Sequence, residues 1–218
     1  MPLRAAAICG LLAPVTFVVG LVLGDLAQPD AFSPVDDNVS DLGALTATSP
    51  WLYNQLAANL NGLLILGFAL GLWRALGNGL LARLGVLGLI VVGVGRFLEG
   101  FLRLDCQGID VNCENNSWQS EAHGIESGIV AAAFFIAPPL LAVAFRFLPG
   151  WRDLWLLTLL AVPAVIATSV VFSILGNGAA TRAASIVWFL WLAFVAFRLL
   201  GIATLESRAE RATRPAGP

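Results

Sequence analysis

Long apolar runs alternate with short polar connections along this chain, and the runs have the length of membrane-crossing helices. They span about 5–24, 50–75, 80–103, 123–147, 152–175 and 179–205. At a rise of about 1.5 Å per residue, each can cross a hydrocarbon core of about 30 Å. The breaks carry turn chemistry: Gly77-Asn78-Gly79, Leu148-Pro149-Gly150 and Gly176-Asn177-Gly178. Ser49-Pro50 supplies an N-cap and first-turn signal for the second run, and Trp51 and Tyr53 suit a membrane interface. Arg4 precedes the first run, but the run is long for a signal peptide, so an uncleaved helix is expected. The pattern predicts an all-α, polytopic integral membrane protein with six transmembrane helices in one domain over 1–205. The charged, Pro-containing segment 206–218 is expected to be a disordered cytoplasmic tail.

Composition agrees with the pattern. The chain is 58% hydrophobic and 12% charged, with mean hydropathy +0.84, where soluble domains carry about 25% charged residues. The expected partner is therefore the lipid bilayer. No basic patch suits a nucleic acid.

The placement of charge gives an expected orientation. Arg4, Arg74, Arg83, Arg146, Arg152, Arg198 and the tail arginines fall at one set of helix ends. The opposite set holds most of the carboxylates, from Asp25 to Asp41 and from Asp105 to Glu121, with Arg103 and Arg182. The positive-inside rule then puts both termini in the cytoplasm and the loops 25–49 and 104–122 outside. In an oxidising compartment Cys106 and Cys113 are expected to form a disulfide.

Polar side chains inside spans are costly and point to function by default. Read in the predicted directions, Asn54, Asn59 and Asn61 lie in the outer half of the second helix, and Arg96, Glu99 and Arg103 at the outer end of the third. His123, Glu126 and Ser127 lie at the start of the fourth, and Arg182 and Ser185 at the start of the sixth. The inner halves are nearly bare. This predicts a polar pocket open to the outside above an apolar floor. Arg96 sits deep enough to need a partner, and Glu99 with Arg103 at i,i+4 offers the better order for an ion pair. Asp41, Asp105, His123 and Glu126 are the candidate catalytic acid–base groups. His123, Asp41 and Asp105 form a donor set suited to a divalent metal, although no strong zinc spacing is present. Arg96, Glu99, Arg103, Asn59, Asn61 and Arg182 are the candidate ligand contacts, the arginines suiting an anionic group such as phosphate.

Val39-Ser40-Asp41-Leu42-Gly43 ahead of the second helix is distinctive. With Pro14, Asn54, Gly62, Asp105, His123 and Pro138 it resembles the bacterial membrane family named domain of unknown function 998, over about 5–205. That family often shows Phe-Pro-x-Asp after its third helix; here Leu102-Arg103-Leu104-Asp105 keeps only the Asp. The resemblance implies a six-helix, multi-pass protein of the bacterial cytoplasmic membrane and brings no established activity. Three functions are expected in order: an outward-facing site that binds or hydrolyses a lipid headgroup or small polar ligand, a non-enzymatic membrane scaffold or sensor, and a transporter. The transporter reading rests on the echo of Ala13-Pro14 in Ala137-Pro138, which hints at inverted repeats. No nucleophile elbow, P-loop or dinucleotide motif commits the chain to catalysis.

Overall fold

A computed structural model describes residues 1–213, with side chains described through Arg208. The described residues are all-helical, and six helices are long and apolar enough to cross a membrane. They are α1 (Leu3–Ala27), α2 (Leu52–Ala75), α3 (Leu80–Glu99), α4 (Trp118–Phe147), α5 (Trp155–Ser173) and α6 (Asn177–Thr213). Each helix packs on its chain neighbours, and α6 returns to α1, so the six close a ring. The ring is tight where small residues meet. A side chain at Gly62 of α2 would collide with the Gly93 carbonyl of α3, and one at Gly20 of α1 with the backbone of Ala57. Small residues let helix backbones approach, which is how apolar helices gain contact energy when hydrophobic burial is no guide.

Several boundaries differ from the hydrophobic pattern. The first part of α2, Leu52–Leu60, is π-helical, and Ser49 is not its cap but holds a left-handed backbone with φ of 51°. α4 starts five residues before His123, capped by Ser117, whose hydroxyl accepts from Ser120 N–H. Polarity hides this turn from a hydrophobicity count, because a capped first turn favours Ser and Glu. α3 ends at Glu99, so Arg103 has left the helix. α6 continues through the segment expected to be disordered as far as Thr213. The rest of that tail, 214–218, lies outside the described residues.

Prolines shape the ring. Pro138 in α4 has no N–H for the carbonyl four residues earlier, that of Phe134. Trp188 of α6 fills the gap: its indole N–H donates to Phe134 O at 3.3 Å, and its ring stacks on Phe134 at 4.2 Å. Below this level the interior is apolar, with Ile65, Phe68, Leu72, Leu89, Leu141 and Leu192 fully buried.

At the end carrying the long loops, the loops are tied to one another and to the helices. The loop after α1 contains a short 3-10 turn, Val39–Gly43. It is tied to the loop after α3 by Leu45 N–H to Leu104 O, Thr46 to Asp110, and Gln107 to both Gln28 and the Asp41 carbonyl. Ala179 N–H of α6 bonds to Val35 O. Cys106 and Cys113 are joined in a disulfide.

Candidate functional site

A cavity of about 350 Å³ lies inside the ring toward the long-loop end, and all six helices line it. Its floor is aromatic: Phe17, Phe134, Trp188 and Phe189. Its polar wall is built around Arg96, Glu99 and Glu126, with Ser127, Ser169 and Thr181 adding hydroxyls.

Arg96 projects from α3 and is held through its two terminal nitrogens. It pairs with Glu99 one turn on, donates to the Ala57 carbonyl at 2.5 Å and stands 3.5 Å from the Tyr53 hydroxyl. Tyr53 donates in turn to Glu99 at 2.8 Å. The Phe17 ring lies 5.4 Å below the guanidinium. The expected Glu99–Arg103 pair is replaced by Arg96–Glu99, because α3 stops at Glu99 and only the i,i+3 partner remains on the helix. Such a network is what a charge of this depth needs, since an unpaired buried ion costs several kcal/mol, about 3–5 on loss of a partner. Its two terminal nitrogens are committed to Glu99, Ala57 and Tyr53, while Nε has no acceptor among the described residues.

Glu126 differs. It borders the cavity from α4 and is 8% exposed, and neither carboxylate oxygen receives a hydrogen bond from any described residue. A side chain at Gly95 of α3 would collide with Glu126 Oε1 and Val130, so the glycine makes room for the carboxylate. Buried carboxylates without donors are rare and call for an explanation.

The other residues singled out from the sequence are dispersed. Asn59 donates to Phe97 O at 2.5 Å and Asn61 to Ala13 O at 2.6 Å. These side chains staple α2 to α3 and α1, and they do not line the cavity. Asn54 makes the matching bond to Gly43 O. Arg182 latches α6 to α1 through Asp25 at 2.7 Å and to the first loop through Asp37 O. Arg103 lies with His123 and Glu99 in a closed crevice beside the cavity.

The three proposed metal ligands each have other partners. His123 Nδ1 is 2.8 Å from Leu102 O, with Ser127 at 3.5 Å from its other nitrogen. Asp41 accepts from the backbone N–H groups of Asn38 and Gly108. Asp105 accepts from Ser117 N–H at 2.8 Å. No group of three His, Cys, Asp or Glu side chains able to hold a metal forms among the described residues. In this arrangement the loop carboxylates of Asp41 and Asp105 act as local caps, satisfying backbone donors where chain direction changes. Burial raises the Asp41 carboxyl above the ordinary range despite the Gly108 and Asn38 N–H groups. Hydrogen bonds from Ser117 lower that of Asp105.

Glu126 was legible in the sequence as an acidic residue within a span; its isolation was not. The signal for its surroundings is Gly95, which reads as close packing and marks the space its carboxylate occupies. The cavity's aromatic floor was missed, because Phe17 and Trp188 lie in uniformly apolar runs that give no directional signal.

No curated protein and no solved structure matches the chain. The family described as "Protein of unknown function (DUF998)" matches residues 11–198, which include every residue of the polar wall. The chain belongs to this family.

Proposed function

We propose that this chain is a multi-pass membrane protein with both termini cytoplasmic, and that its cavity, reached from the outer side, binds a small ligand that brings a positive charge or hydrogen-bond donors. The apolar spans, the arginine-rich helix ends and the disulfide in the opposite loop support the orientation. The observation that carries the binding reading is Glu126, a buried carboxylate without a donor from the described chain at the wall of an aromatic-floored cavity. When ionised, Arg96, Glu99 and Glu126 leave one net negative charge, and aromatic faces favour cations. The reading therefore turns from an anionic to a cationic ligand. A scaffold role is favoured by one observation, the Arg96–Glu99–Tyr53 network, whose members pair with one another.

Radiolabelled butylammonium and butyrate separate the two. Binding proteins should take up butylammonium saturably, ignore butyrate and lose the uptake on Glu126→Gln. Equal behaviour of the two probes, or a variant that binds like the parent, would leave the scaffold reading. A reporter active only in the cytoplasm should give signal when fused at Pro218 and none after Glu114. The reverse pattern would overturn the orientation.

A further inference from the structure

The ring is not closed evenly. On α5 the buried residues are Thr158, Ala161 and Val165, none of them nearer the long loops than Val165. From Ile166 onward no residue of that helix is buried, and Val170 is 63% exposed. The facing part of α4 is built from small residues. A side chain at Gly124 or Gly128 would meet nothing within 4 Å. Ser127 and Ala131, one turn apart, are exposed and yet line the cavity. So are Val165 and Ser169 of α5 among its lining residues, the second only partly covered. The cavity thus has a side opening between the first half of α4 and the last half of α5, at the level of Glu126.

The rim of this opening is apolar. Phe135, Ile166 and Val170 are exposed around it. In a bilayer such a rim faces acyl chains, whereas the interior it leads to holds the Glu126 carboxyl beside the Arg96–Glu99 pair. An occupant must satisfy both surfaces. One end must bring donors and positive charge, and the rest must be at home in hydrocarbon.

We propose that a phospholipid whose headgroup ends in a primary ammonium reaches the cavity sideways through the α4–α5 opening, with its ammonium toward Glu126 and its chains left in the bilayer. This rests on the cavity reading above and adds the ligand class and the route. A primary ammonium offers three donors, enough for both unpartnered oxygens of Glu126. The hydroxyls of Ser127 and Ser169 are neutral donors for the phosphate ester. The chains need no groove of their own.

The test uses the full chain in phosphatidylglycerol nanodiscs. A trace of phosphatidylethanolamine carrying a diazirine near its headgroup is compared with phosphatidylglycerol carrying the same group. The ethanolamine probe should label 124–135 of α4 and 165–173 of α5, and unlabelled phosphatidylethanolamine should compete. Glu126→Gln should weaken that labelling about tenfold or more, as expected for losing a hydrogen bond to a charged group. Gly124→Trp and Gly128→Trp should obstruct the opening. Open space at both positions and the better helix propensity of Trp over Gly favour folding. Both should lose lipid labelling and keep butylammonium uptake.

Labelling no stronger than that of phosphatidylglycerol, or unchanged by both Trp variants, overturns the route. If butylammonium still binds and still needs Glu126, the cavity reading survives that result. If butylammonium does not bind either, both fall together.

Discussion

Replacing Glu126 by Met should make the ligand-free protein more stable. Most buried polar residues behave in the opposite way, because their partners are left stranded when they are removed. Glu126 has no hydrogen-bonding partner among the described residues to strand, and Arg96 keeps Glu99, Tyr53 and the Ala57 carbonyl without it. An unsatisfied buried polar group costs about 1–3 kcal/mol, more when charged. Met has similar length and brings no polar atom, so little cavity penalty offsets the gain. Loss of the attraction between Glu126 and Arg96 works against it. The expected net effect is about 1–3 kcal/mol of stabilisation, each kcal/mol raising the melting temperature by roughly 2–4 °C for a chain of this size. The assay is thermal unfolding in detergent with and without butylammonium. The parent should gain stability with the amine, by about 2.7 kcal/mol at a hundredfold excess over Kd, and the variant should gain none. A variant that melts several degrees lower than the parent without amine would refute the reasoning, because it would mean that Glu126 is held by a structural partner.

Other outcomes follow from the same structure. Glu99→Gln should cost about 3–5 kcal/mol, since it removes the carboxylate with which buried Arg96 pairs directly; the yield of folded protein after extraction measures it. Trp188→Phe should cost about 1–3 kcal/mol by stranding the Phe134 carbonyl. Pro138→Ala restores a helical N–H to that carbonyl, so the double variant should be clearly better than the sum of the two, and additive losses would argue against the link. Asp41 titrates above its ordinary value of about 3.9. The folded state therefore keeps a proton that the unfolded chain has lost, and this contribution falls away as pH rises from about 4 through the raised value. Unfolding measured against pH should show that decline, and Asp41→Asn should flatten it.

The number of helices and their rough extents were legible because a span must be apolar over a fixed length. Which polar residues meet was much less so. Asn59, Asn61 and Arg182 looked like ligand contacts because depth along the helix was the available coordinate, and depth says nothing about azimuth. The π-helical start of α2 changes that azimuth: Ala57, Ala58 and Asn59 are buried in succession. Asp41 and Asp105 looked like partners of His123 because all lie near one membrane face. Each was instead taken by a backbone donor close at hand, at Asn38 and Gly108 for one and Ser117 for the other. The pairing of Cys106 and Cys113 was readable from two cysteines close together in a polar loop, once that loop was expected to face an oxidising compartment.

The latch from Arg182 to Asp25 joins residues 157 positions apart, and the face of α1 that it secures belongs against α6. During synthesis α1 is made first and α6 last. Phe17 and Leu21 must therefore wait in lipid, or against a transient helper, until the sixth helix arrives. A chain that stops short of α6 keeps five apolar spans and every member of the Arg96 network, yet lacks the seam that turns a row of helices into an enclosure. Membrane quality control would have an unambiguous mark to read on such a product: an uncovered first helix with Asp25 unanswered at its end.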